Sequence, residues 1–128
     1  MISRVRQDIE KAKALKKIAE ITLERLKKTD MEVYPSNTLI DFYDIIHNLM
    51  EAITLKEGVK AKGDGAHQEL IDYVASKYSL GELNRRFLQE MRDNRNRTFY
   101  EGFVISKIYI VNNKEKIFKI VDQLFPLI

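Results

Sequence analysis

The chain has 128 residues, 45% of them hydrophobic and 32% charged, and its net charge is +3. This size and composition predict one ordered, soluble domain over residues 1–128 and exclude an intrinsically disordered chain. The absence of cysteine excludes disulfides, thiol catalysis and zinc–thiolate sites. Because no apolar run approaches the roughly 20 residues that span a bilayer and no apolar signal segment opens the chain, a cytoplasmic location is expected.

The first half of the chain has the pattern of two amphipathic helices. Apolar residues at three- and four-residue steps predict a first helix of about seven turns over residues 2–28. Residues 29–37 are predicted to be a loop, since they contain Pro35 and the residue before a proline avoids the α region. A second helix is predicted over residues 38–57, where Asp41 would complete a capping box with the first helical residue.

Capping signals predict further helices in the second half. A glycine-rich stretch, residues 58–65, precedes a third helix, for which Asp64 is the expected N-cap. Ser79 and Glu82 form a capping box that opens a fourth helix, and Gly102 is placed to end it.

The last segment could be a strand or a helix. Residues 103–111 have strand propensity, but their apolar positions also fit helical spacing and a lone strand has no partner, so helix is favoured. Asn112 with Glu115 resembles the cap of a final stretch that runs to Pro126. The predicted fold is therefore all-α, an up-and-down bundle of about five helices joined by short loops.

The fourth helix contains five of the eight arginines, all between Arg85 and Arg97, and no lysine. Arginine presents a planar fork of donors that suits phosphate, carboxylate or stacking on rings, so this composition predicts contacts with a partner. On a helical wheel Arg86 and Arg97 point outward, as solvated surface charges would. An adjoining stripe is formed by three polar side chains at four-residue intervals, Arg92, Asn96 and Tyr100.

Arg95 falls inside the apolar arc of this helix. One interpretation is an arginine whose stem packs on the core while its head reaches water. The other is a polar site or a polar subunit interface, because an unpaired buried charge is rare. The sequence leaves both open.

The end of the arginine-rich helix carries a recognisable pattern. Residues 95–102 read Arg-Asn-Arg-Thr-Phe-Tyr-Glu-Gly. They resemble the signature of the HEPN domain family, an arginine followed by a polar residue, with a histidine four to six positions further on. Upstream, residues 42–47, Glu51 and His67 resemble positions in the second and third helices of that domain. The resemblance extends over about residues 2–124.

The resemblance implies an all-α bundle that forms a homodimer, in which the motifs of two subunits meet in a cleft. Active HEPN members are metal-independent ribonucleases, among them the toxins of toxin–antitoxin pairs. Other members bind RNA or nucleotides without the nuclease motif. Many are paired with a minimal nucleotidyltransferase, which implies a possible partner protein.

By the same resemblance Arg95 takes the place of the motif arginine, Asn96 the polar position and Tyr100 the place of the histidine. Tyrosine, with an ordinary pKa near 10, is a poor base at neutral pH, which leaves RNA binding more plausible than cleavage. In a regular helix Arg95 and Tyr100 lie about 140° apart, so they converge only if the helix bends or if they come from different subunits.

The two histidines are each predicted to have a structural role. His47 borders the apolar stripe of the second helix, as a core or interface histidine would. His67 lies in the first turn of the third helix without a recognisable ligand or triad partner. No metal-binding motif and no glycine-rich phosphate loop is present, so neither a metal nor a cofactor is predicted.

Three functional hypotheses follow. The leading one is a HEPN-like homodimer that binds RNA or a nucleotide at an arginine-lined subunit cleft, through Arg92, Arg95, Asn96 and Tyr100. The second is a metal-independent ribonuclease that uses Arg95 and Tyr100 as catalytic residues. The third is a protein-interaction module that partners a nucleotidyltransferase.

Overall fold

The computed structural model describes all 128 residues and is 74% helical. It contains five α-helices, α1 (Ile9–Lys27), α2 (Pro35–Glu57), α3 (Ala66–Lys77), α4 (Glu82–Glu101) and α5 (Lys107–Leu124). Two short strands, β1 (Ile2–Arg4) and β2 (Val59–Ala61), and a 3-10 turn (Phe125–Leu127) complete it. The predicted all-α class with about five helices is confirmed. None of the helices combines the length and the apolar character needed to cross a membrane.

The prediction of a helix from residue 2 is wrong, because the first residues form a strand. β1 pairs antiparallel with β2, with Ile2 opposite Ala61 and Arg4 opposite Val59. α1 begins only after Asp8, whose carboxylate accepts a hydrogen bond from the backbone N–H of Lys11 at 2.9 Å. Apolar residues at positions 2, 5 and 9 fit the helical period, but pairing with residues 59–61 decides the conformation of residues 2–4.

The second helix begins earlier than predicted, at Pro35 instead of Thr38. Proline fits the first turn of a helix, where its missing N–H has no partner to lose. Thr38 lies inside the helix and is buried; its hydroxyl donates to the carbonyl of Met31 at 2.7 Å. α2 ends at Gly58 as predicted, with φ +80°, and a Cβ on Gly58 would lie 3.0 Å from the carbonyl oxygen of Val5.

Of the other predicted caps, one is confirmed and the rest are wrong. Gly65 and Gly81, instead of Asp64 and Ser79, occupy the N-cap positions of α3 and α4. The predicted break at residues 112–115 is also wrong, because α5 runs through them from an N-cap at residue 106. Gly102 ends α4 with φ +70°, as predicted.

The core is built around α2, which buries twelve of its residues. Most of them join one cluster of 24 buried residues that also includes side chains of α1, α3, α4 and α5. Phe42 of α2, for example, meets Phe118 of α5 edge to face at 5.5 Å. The other helices surround α2. The polar side chains at the border of its buried face therefore lie next to α3 and α4.

A group of four polar side chains lies at the C-terminal end of α2, and we call it the Glu57 cluster. It consists of Glu57 from α2 with Tyr73, Lys77 and Tyr78 from α3 and its C-cap. Tyr73 and Lys77 each donate to Glu57 at 2.6 Å, and the Tyr78 hydroxyl donates to its other carboxylate oxygen. Burial acts to raise the pKa of Glu57, but these hydrogen bonds outweigh it and hold the pKa below its ordinary value.

Candidate functional site

Three helices bring seven polar side chains together on one face of the bundle. We call this group the Arg–His cluster; it consists of Tyr43, Asp44, His47 and Glu51 of α2, His67 of α3, and Arg92 and Arg95 of α4. The α2 members recur at three- and four-residue steps, so they form a continuous stripe on that helix.

The two histidines lie side by side in this cluster. Their rings are stacked, 4.7 Å apart and 10° from parallel, and the ring of Tyr43 continues the stack 6.0 Å from His47. The Tyr43 hydroxyl is 3.5 Å from Nδ1 of His67, and Nε2 of His47 is 3.5 Å from Oε2 of Glu51. Separate structural roles were predicted for the two histidines from sequence, and their pairing was not predicted.

Arg95 is held by aromatic rings more than by a carboxylate. Its guanidinium carbon lies 4.7 Å from the ring centre of Phe99 and 5.7 Å from that of Tyr43. The nearest carboxylate oxygen, on Asp44, is 3.6 Å from Nη2, and the one hydrogen bond is a 3.4 Å contact to Asn96 Oδ1. Nε is buried without a partner, and the side chain is 20% exposed.

Arg92 is covered to the same extent, with 20% of its side chain exposed. Nη1 donates to Asp93 at 3.0 Å, whereas Nε is buried without a partner. The charges of Arg92 and Arg95 both act on Tyr43 and on His67. The cluster therefore contains two largely covered guanidinium groups with unused donors.

The electrostatics of the cluster favour a neutral His67. Partial burial of its ring, and then electrostatic interactions with His47, Arg92 and Arg95, lower the pKa of His67 below its ordinary value. A histidine with a lowered pKa is a free proton acceptor at neutral pH.

The surroundings shift the pKa values of the acidic members in opposite directions. The hydrogen-bonding interaction with His47 lowers the pKa of Glu51, which keeps its carboxylate ionised. Burial raises the pKa of Asp44, although the charge of Arg95 opposes the shift. Burial likewise raises the pKa of Tyr43, so its hydroxyl remains a hydrogen-bond donor.

The structure brings Arg92, Arg95 and Asn96 together but places Tyr100 elsewhere on α4. Tyr100 is 74% exposed and packs edge to face on Phe99, with ring centres 5.1 Å apart. α4 continues unbroken to Glu101, so a bend does not bring Tyr100 towards Arg95 within one subunit.

The remaining arginines of α4 lie outside the cluster. Arg85 donates to Asp72 at 2.9 Å and to Glu82 at 2.6 Å, and so ties α4 to α3. Arg86 pairs with the same Glu82 at 3.1 Å. Arg97 is 55% exposed and pairs within its own helix.

An open pocket of about 280 Å³ adjoins the histidines, between α2, β2 and α3. Its polar lining comprises His47, Glu51, Thr54, Lys60 and His67. No group of three His, Cys, Asp or Glu side chains in the chain is arranged to hold a metal ion.

The donors, the imidazoles and the adjoining pocket make this face the best candidate for a binding site. No protein-family model, curated protein or solved structure matches the chain. The HEPN resemblance stays a prediction.

Proposed function

We propose that this chain binds RNA or a nucleotide through phosphate contacts at the Arg–His cluster. One observation carries the proposal: Arg95 is four-fifths covered, and of its five N–H donors only one makes a hydrogen bond, a long one of 3.4 Å. Leaving such donors unfilled is costly, and a phosphate group fills them with bidentate geometry. Arg92 and Asn96 stand beside it to extend the contact.

The aromatic side chains around Arg95 support an unpaired nucleic-acid strand as the ligand. Phe99 and Tyr100 are 59% and 74% exposed, and both lie within five residues of Arg95. Exposed rings next to arginines are the surface on which bases of single strands stack. Tyr100 would therefore contribute a stacking face.

The proposal includes a homodimer whose subunits share the cleft. Three other large apolar side chains, in the α4–α5 connection and on α5, are exposed: Val104, Ile108 and Val111. Exposed apolar side chains grouped along the chain in this way suit a protein contact. A second copy would cover them and bring two Arg95 side chains towards one cleft; a nucleotidyltransferase partner is the alternative occupant.

A salt titration with a labelled single-stranded oligoribonucleotide tests phosphate binding. Affinity should fall as salt rises, and Arg95→Ala should make that dependence shallower by about 0.7 in the slope of log K against log salt, the share of one phosphate contact on a single strand. Arg97→Ala is the matched control, since it removes an exposed arginine of the same helix. Binding that is insensitive to salt, or equally weakened by both variants, would contradict the proposal.

The stacked histidines favour a second candidate function, metal-independent RNA cleavage. In that reaction the ribose 2′-oxygen attacks phosphorus and gives its proton to a neutral imidazole, for which His67 is suited. The bond to the 5′-oxygen breaks, and that oxygen takes a proton from a second acid. Arg95 would stabilise the charge on the phosphorane. His47 or Tyr100 of the other subunit would supply the acid.

Incubation of purified protein with single-stranded RNA in EDTA tests this candidate. Cleavage should yield 2′,3′-cyclic phosphate and 5′-hydroxyl ends. Loss of cleavage in His67→Ala with retained RNA binding would assign the base, and a loss in Tyr100→Phe would assign the tyrosine. Intact RNA after long incubation would leave binding as the function.

A further inference from the structure

Glu51 is an unexpected residue in a site for phosphate. Its carboxylate is ionised, 29% exposed, and lines the pocket beside His67 and Lys60. A carboxylate repels a phosphate group, so its presence among cations calls for a ligand group of a different kind.

The carboxylate of Glu51 has unused capacity as an acceptor. Its one polar contact is the 3.5 Å approach of His47 Nε2 to Oε2, and Oε1 has none. An ionised carboxylate accepts about four hydrogen bonds, so Glu51 can accept further hydrogen bonds from a ligand in the pocket that it lines. The Thr54 hydroxyl does not use them, since it donates to the backbone carbonyl of Glu51 at 3.0 Å.

The donor that every ribonucleotide carries outside its base is the 2′-hydroxyl. Glu51 follows Asp44, the neighbour of Arg95, by two turns of α2, which places it about 10 Å further along the helix. A strand whose phosphate is bound at Arg95 would have to run this far along α2 for one of its sugars to reach Glu51. Lys60, which lines the same pocket and whose charge acts on Glu51, offers a cation for a second phosphate.

We propose that Glu51 accepts a hydrogen bond from a ribose 2′-hydroxyl, so that the pocket is a sugar subsite and makes the chain select RNA over DNA. The inference rests on the proposed phosphate binding and adds a determinant of specificity to it. The phosphate contacts of Arg92 and Arg95 are shared by both nucleic acids and cannot distinguish them.

The experiment compares three labelled oligonucleotides of one sequence, with ribose, 2′-deoxyribose and 2′-fluororibose sugars. The fluoro sugar keeps the ribo-like pucker but has no donor. The wild type should bind the ribose strand about tenfold more tightly than either of the others, the worth of one charge-assisted hydrogen bond. Denaturing gels of the same samples check that the ribose strand stays intact.

Glu51→Met removes the acceptor at similar size. It should reduce the ribose-to-deoxyribose ratio to near one, while affinity for the deoxyribose strand stays level or rises because a negative charge has gone. Glu115→Met is the matched control, since it removes an exposed carboxylate from α5 and should leave the ratio unchanged. If Glu51 acted only by positioning His47, the variant would weaken both strands alike, and the inference would be overturned.

The two proposals fail in different ways. A wild type that binds no strand, or binds in a salt-insensitive way, removes the phosphate site and the sugar subsite together. Salt-sensitive binding with equal affinity for all three sugars leaves the phosphate site in place and overturns the role of Glu51. The oligonucleotide series needs no variant, so a misfolded mutant cannot obscure the answer.

Discussion

The Arg–His cluster lies along the middle of α2 and the Glu57 cluster at its C-terminal end, and both combine aromatic, acidic and cationic side chains. In the Glu57 cluster a carboxylate receives two hydrogen bonds of 2.6 Å and a third from Tyr78. In the Arg–His cluster the contacts between members are 3.5–3.6 Å long. Nitrogen atoms of three of its side chains are buried without partners, His47, Arg92 and Arg95.

We infer from this difference that the Glu57 cluster is structural and that the Arg–His cluster binds a ligand. A buried polar network that is fully satisfied rigidifies a fold, whereas one with unused donors and acceptors is costly to keep. We therefore expect changes in the Glu57 cluster to alter stability and changes in the Arg–His cluster to alter binding.

The largest effect on stability should come from Glu57→Ala. It leaves two tyrosine hydroxyls and the Lys77 ammonium without their shared acceptor, and we expect a loss of about 2–3 kcal/mol in the free energy of unfolding. Urea titration followed by circular dichroism measures it, with the exposed Glu101→Ala as control. A loss below 0.5 kcal/mol, on the order of an ordinary surface substitution, would show that the cluster is not structural.

Arg95→Ala should have the opposite profile. We expect about a tenfold loss of affinity for single-stranded RNA, because a charge-assisted contact is worth roughly 1.4 kcal/mol. The free energy of unfolding should change by less than about 1 kcal/mol, since Arg95 has no close ion pair to lose. Fluorescence anisotropy and urea titration on one preparation report both values. A destabilised variant with normal affinity would reverse the assignment of the two clusters.

The two clusters should also differ in how their stability depends on pH. The pKa of His67 is lowered, so its contribution is complete above its ordinary pKa of 6.5 and is lost as pH falls through the lower value of the folded state. The pKa of Glu57 is lowered from 4.5, so its contribution persists to more acid pH and is lost as pH falls through its folded value. Unfolding measured at closely spaced pH values should show both steps.

Variants assign each step. His67→Gln should remove the step below pH 6.5, a few tenths of a kcal/mol because solvent screens a partly exposed ring. Glu57→Gln should reduce only the more acid step, to which Glu51 also contributes through its lowered pKa. If either variant removed both steps, the clusters would be coupled instead of independent.

The smallest expected effect belongs to Tyr100→Phe. Tyr100 is exposed, and its hydroxyl has no hydrogen bond in the structure, so stability should change by no more than about 0.5 kcal/mol. Stacking of a base depends on the ring, so RNA affinity should also persist. Tyr100→Ala, measured in the same assay, should weaken binding by about 1–3 kcal/mol if the ring stacks.

Much of the fold could be predicted from sequence because the apolar periods of the helices are long and regular. The five helices, the end of α2 at Gly58 and the end of α4 at Gly102 were all predicted. The errors concern the starts of elements. A serine, threonine or asparagine followed three residues later by an acidic residue also occurs by chance within helices, as residues 112 and 115 show.

The site was harder to predict because its members are distant in sequence. The spacing of α4 singled out Arg92, Arg95 and Asn96, which do lie together. His47 and His67 lie on two helices separated by β2. The local sequence around each histidine does not predict how those two helices are oriented relative to each other. Tyr43, one turn before His47 on α2, was the available signal for a polar stripe.

The two-stranded ribbon has a consequence for the order of folding. It joins residues roughly 55 positions apart along the chain, whereas α1 and α2 are linked by a short connection and can pack early. Pairing of three residues with three offsets little of the conformational entropy that is lost when so long a loop closes. We therefore expect the ribbon to form after the helical core. Because Lys60 belongs to β2, the wall of the pocket that β2 forms would then be completed last.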